Sequence, residues 1–153
     1  MSTKDWILLL VPVLLNGVVV FLLQRIFERK QLALNKKYEY VSVMQQKVDN
    51  ALASFIKVIQ TTGNDSVQIS WLNQFISDYS EVHYYYQQNQ VLFKHLKNHM
   101  DELIKAHEQL QKDQLKIGNT EHNLETKIHM ESLYRRIYEL LQSIQNDCIQ
   151  LKI

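Results

Sequence analysis

Glycine and proline are nearly missing from this chain, with three and one in 153 residues, and the single proline, Pro12, falls inside an apolar run. Strand-rich folds need frequent turn punctuation, so this scarcity points to an all-α chain. Cysteine occurs once, at Cys148, which excludes an intrachain disulfide framework and suits a reducing compartment. An excess of one charge is missing too: 17 Lys and Arg stand against 16 Asp and Glu. A nucleic-acid partner is therefore not expected, because such binders carry a strong basic footprint. The sequence also has no phosphate-cradling glycine loop, no nucleophile elbow and no carboxylate pair set in apolar surroundings. No enzyme activity, cofactor or small-molecule substrate is expected from it.

What the chain does have is one long apolar run, Trp6 to Leu23, with Asn16 as its only strongly polar side chain. As a helix at about 1.5 Å per residue it spans about 27 Å, close to the roughly 30 Å of a bilayer's hydrocarbon core. Gln24 and Arg25 can snorkel to complete the crossing. The run is too long, and its end at Phe21-Leu22-Leu23-Gln24-Arg25 too bulky, for a cleaved signal peptide. No cysteine follows it to carry a lipid.

The flank after the run is basic: Arg25, Arg29, Lys30, Lys36 and Lys37 against Glu28, compared with Lys4 and Asp5 before it. Basic flanks stay in the cytoplasm, so the expected topology is a single pass of the cell membrane with the amino terminus outside. The sequence thus divides into a short outer terminus (1–5), a transmembrane helix (6–27), a basic juxtamembrane segment (28–37) and a cytoplasmic helical domain (38–153). Residues 38–153 hold eleven basic and fourteen acidic side chains, so the domain itself is slightly acidic.

Three amphipathic helices are predicted in that domain. The first runs to Gln60, with a stripe at Leu34, Tyr38, Val41, Met44, Val48, Ala51, Phe55 and Ile59. Gly63 followed by Asp65 or Ser66 supplies a stop and a restart. The second steps from Leu72 through Phe75, Tyr79, Val82, Tyr86, Asn89, Phe93, Leu96, Met100, Leu103, His107 and Leu110 to Gln114 and Ile117 in one heptad frame. The frame runs through Asn89 without a skip, which favours one helix of about 75 Å, although the polar Gln87–Gln90 stretch offers a break that would give four helices. Gly118-Asn119-Thr120 ends it. The third carries Met130, Tyr134, Ile137, Leu141, Ile144, Cys148 and Leu151 beside a second row at Leu124, Ile128, Leu133 and Leu140. The fold class is an antiparallel bundle.

Few residues suggest chemistry. His95 and His99 at helical spacing, with Glu102 a further turn on, are a weak metal candidate. His107 on the seam is expected to form a polar layer with Asn89 and Gln114 that fixes register, while His122 and His129 are expected to face water. Tyr84-Tyr85-Tyr86 with Tyr79, Phe93 and Trp71 is read as packing rather than a base-stacking surface, since Asp78 and Glu81 intrude. Arg135-Arg136 is read as a solvated helix face.

In plan the chain resembles single-span bacterial proteins with an outward amino end and a cytoplasmic helical bundle, the EzrA-type division regulators among them; the likeness is one of topology and carries no shared motif. The function expected is a membrane-anchored scaffold that presents helix faces to a cytoplasmic partner or to its own copies. The alternative is an oligomerising membrane-perturbing effector of the holin or phage-defence kind, its spans clustering through Asn16.

Overall fold

A computed structural model describes the backbone of residues 3–61, 65–117 and 124–151, and the side chains of 16–61, 66–113 and 128–151. The elements are α1 (Thr3–Gln60), α2 (Asp65–Gln88), a short 3-10 turn (Lys94–Leu96), α3 (Lys97–Ile117) and α4 (Leu124–Gln150). No strand occurs among the described residues, and the fold is all-α. By its internal contacts the chain divides into Met1–Glu39 and Tyr40–Ile153.

The second unit is a four-helix bundle. Its pairings run antiparallel at every neighbouring pair. Between α1 and α2, Tyr85 Oη donates to the Tyr40 carbonyl at 3.3 Å, Lys47 meets Glu81 at 2.8 Å, and Gln68 Nε2 donates to the Val58 carbonyl at 3.4 Å. Between α2 and α3, Tyr79 stacks on His107. Between α3 and α4, His99 bonds Asp147 and His129 bonds Asp113. Gln145 Nε2 closes the ring from α4 to Asp49 of α1 at 2.7 Å.

The heptad stripes explain the core. Val41, Met44, Val48, Ala51, Phe55 and Val58 of α1 are buried together with Phe75 and Val82 of α2, Met100, Leu103 and Leu110 of α3, and Ile137, Leu141 and Ile144 of α4. Phe55 is the hub: its ring lies 4.6 Å from Phe75 and 5.8 Å from Tyr134, edge-on to the latter. Fully burying each such side chain contributes about 1.5–3 kcal/mol, and ring pairs of this geometry about 0.5–1.5 kcal/mol more. Ser54, polar but buried, satisfies its hydroxyl by donating to the Asn50 and Ala51 carbonyls.

The expected unbroken second helix is not what forms. The helix stops at Gln88, the chain reverses through 89–96, and α3 returns along α2. Asn89 makes the stop. Its Nδ2 donates to the Tyr85 carbonyl at 3.0 Å, while its own carbonyl accepts from the amides of Leu92 and Phe93. This local alternative to the helical ladder is the chemistry that makes asparagine a poor helix-interior residue. Phe93 and Leu96 stay fully buried, so the heptad phase passes through a reversal that period alone cannot reveal. The reversal also removes the 75 Å rod: α2, at 24 residues, is about 36 Å long. The stop-and-cap residues Gly63 and Gly118 to Thr120 lie outside the described residues.

The first unit is the amino-terminal stretch of α1. Every residue from Asn16 to Lys36 is exposed. Among the described residues no helix is long and apolar enough to cross a membrane. From Asn16 onward the apolar stretch lasts only to Leu23 before Gln24 and Arg25 interrupt it. The side chains of Met1 to Leu15, which include most of the predicted span's start, lie outside the description. The transmembrane helix expected over 6–27 thus finds no support in the fold itself.

Candidate functional site

The bundle's interior holds one polar feature with unusual surroundings. His107, on the inner face of α3, is 7% exposed and stacks on Tyr79 with ring centroids 3.9 Å apart. Phe75 stands at 6.2 Å across a steep angle, and Tyr79 in turn lies 5.9 Å from His83. The His107 Nε2 is buried and has no hydrogen-bond partner. Burial lowers the His107 pKa to about 4, with the neighbouring His83 pushing the same way and Glu108 opposing. Burial likewise raises the Tyr79 hydroxyl well above its ordinary value, and the Glu108 charge adds to that. A neutral imidazole packed between aromatic faces is a core histidine.

Of the residues expected to form the polar layer, Asn89 does not join His107. Asn89 belongs to the α2–α3 turn rather than to the seam beside His107, and the Gln114 side chain lies outside the described residues. His107 instead finds Tyr79, a neighbour that becomes visible only once the chain reverses.

Two of the three weak metal candidates pair with side chains of α4. His99 Nδ1 hydrogen-bonds Asp147 Oδ2 of α4 at 3.0 Å, and Glu102 pairs with Arg136 at 3.4 Å. His95 sits in the 3-10 turn, where the helical spacing that would align it with His99 no longer holds. No group of three or more metal-ligating side chains converges among the described residues. His129, expected to face water, lies 3.1 Å from Asp113 Oδ2, which also accepts from Gln109 Nε2 at 2.8 Å. That link joins α4 to α3 across sixteen residues of sequence, a distance over which helical spacing carries no signal.

A different surface is left on α1. Val18, Val19, Val20, Phe21, Leu22, Leu23, Ile26 and Phe27 are each more than half exposed. Arg25, Arg29, Lys30 and Lys36 are exposed and Lys37 is half-buried, and the Arg25 guanidinium lies 5.5 Å from the Phe21 ring. Asn16 is exposed, and a Cβ placed on Gly17 would meet nothing within 4 Å. An apolar surface of this extent with no protein over it is rare on a water-soluble monomer and marks a site of association.

The residues singled out from sequence therefore separate into two groups. His99, His107, His129 and Glu102 are absorbed into pairs that tie helices together, and the α1 flank remains as the surface with an unmet requirement. Comparison of the chain with protein-family models, with curated proteins and with solved structures finds no match.

Proposed function

We propose that the protein is a single-pass membrane-anchored interaction protein whose helical bundle is held at the inner surface of the cell membrane. There it meets a cytoplasmic partner or further copies of itself. One observation carries the reading: the apolar side chains from Val18 to Leu23, with Ile26 and Phe27, are each more than half exposed, and Val18 to Leu23 continue the uncharged run that begins at Trp6. Leaving them in water forgoes about 25 cal/mol for each Å² of apolar surface, and lipid is the solvent that removes that cost. The basic residues Arg25, Arg29, Lys30, Lys36 and Lys37 suit the headgroup layer that follows, each contributing about 1 kcal/mol against anionic lipid. Their excess over Lys4 supports an orientation with the bundle on the cytoplasmic side.

Carbonate extraction of native membranes tests the anchor. The full chain stays in the pellet, and a chain lacking residues 6–23 moves to the supernatant. Quantitative extraction of the full chain overturns the proposal, as does digestion of the bundle by protease added outside intact cells.

A second reading draws on Asn16 and Gly17, which are uncovered and small enough at Gly17 for close helix approach. It makes the protein an oligomerising effector that permeabilises the membrane. Dye leakage on expression of the full chain, abolished by Asn16→Leu, supports the effector; intact permeability excludes it.

A further inference from the structure

The reversal between α2 and α3 displays a side chain that folding alone does not explain. Val91 is 90% exposed, the most exposed large apolar residue among those described. Turn tips ordinarily carry glycine, asparagine or serine. This tip is held firmly. Phe93 and Leu96 on one side are fully buried, Tyr86 on the other is 5% exposed, and Asn89 ties the loop by its side chain and carbonyl. Val91 is thus presented outward on a fixed turn.

The surroundings of the tip share one character. From Val82 to Met100 the chain contains no Asp or Glu, while Lys94 and Lys97 are exposed within it. Both lysines line a cleft of about 540 Å³ with His83, Tyr86 and Val91, in which Asp101 is the one carboxylate. The nearby Asp147 is engaged by His99. A protruding aliphatic tip beside two exposed lysines, with Asp101 as the one carboxylate of the cleft they line, is the composition of a surface that lies on an anionic bilayer interface. A protein partner would call for a broader desolvated patch than one valine supplies.

We infer that this turn docks on an anionic bilayer, with Val91 entering the headgroup layer and Lys94 and Lys97 facing the phosphate and carboxylate groups of the lipids. The inference deepens the membrane-anchored reading and rests on it for nearness to the bilayer. Docking lays the bundle against the membrane and so restricts which helix faces remain open to a partner.

The test uses the full-length chain with Val91→Cys carrying an environment-sensitive fluorophore; Cys148, being buried, is shielded from the label. The protein is reconstituted into phosphatidylcholine vesicles with or without phosphatidylserine. The expected result is a blue shift and protection from an aqueous quencher in the phosphatidylserine vesicles alone. The bound fraction should weaken about fivefold for each of Lys94→Gln and Lys97→Gln. Equal quenching in both vesicles overturns the inference. So does equal protection in both, which marks a protein contact instead. Failure of the anchor reads differently: the chain is then stripped by carbonate, while the fluorophore's response to phosphatidylserine at neutral pH still reports docking or its absence.

Discussion

The same helix, α1, treats apolar side chains in two opposite ways. From Val18 to Leu23 they come in an unbroken run, resume at Ile26 and Phe27 after Gln24 and Arg25, and are all exposed, Phe21 at 56% and Phe27 at 62%; from Val41 to Val58 they come every three or four residues, and Phe55 and Val41 are fully buried. The difference lies in what surrounds them. A stripe has one side to hide and finds it in three neighbouring helices. A run that is apolar all round has no polar side to show water, and a bundle of this size cannot wrap it. Hydrophobicity by itself therefore does not mark the core of this protein; its spacing does.

The sharpest way to break that comparison is to cut a phenylalanine from each stretch. Phe55→Ala opens a cavity against Phe75 and Tyr134 and should cost the bundle about 3–5 kcal/mol. Phe21→Ala should leave the bundle's unfolding midpoint in denaturant unchanged. Equal losses would mean that the first stretch is covered after all.

Acid should act next, on the buried bundle alone, through His107 of α3. His107 titrates near pH 4 in the folded bundle and about 6.5 when unfolded. Protons therefore bind the unfolded chain first. The stability is fully present above pH 6.5 and falls as the pH drops towards 4, by at most about 3 kcal/mol from this residue. Chemical denaturation across that window should show the slope, and His107→Leu should flatten it while also removing the orphaned Nε2.

Smaller effects belong to the turn and the surface. Asn89→Ala deletes the bond to the Tyr85 carbonyl and should destabilise the bundle by about 1 kcal/mol in thermal melts. Glu81→Gln removes the exposed pair with Lys47, for which a double-mutant cycle with Lys47→Met should give under about 1 kcal/mol.

Much of the bundle is legible in the sequence, because helices announce themselves by period. Most of the stripes named on α1 and α4, and the seam from Leu72 to Leu110, are buried; Leu34, Ile59 and Ile128 are exposed, Tyr38, Tyr134 and Leu151 are half-buried, Asn89 is half-buried in the turn, and the Leu124 side chain lies outside the described residues. The reversal at Asn89 is less legible. Phe93 and Leu96 keep the heptad phase across it, and the only sign is a polar stretch that a long helix could also tolerate. The candidate chemistry fares worst. His99–Asp147 and Asp113–His129 join two successive helices, so spacing along either one pairs His99 with His95 and does not show the carboxylate that His129, exposed as expected, also meets. The basic flank of α1 was readable because both its charge and its exposure are properties of one continuous segment.

The most direct measurement is a cysteine-accessibility scan along α1 in native membrane vesicles, one substitution at a time from Asn16 to Val58. The account predicts uniform protection from a water-soluble thiol reagent through the apolar run, then open reactivity across the basic flank, then protection at every third or fourth position from Val41 onward. Reactivity with a helical period through Val18 to Leu23, or full reactivity there, would contradict it.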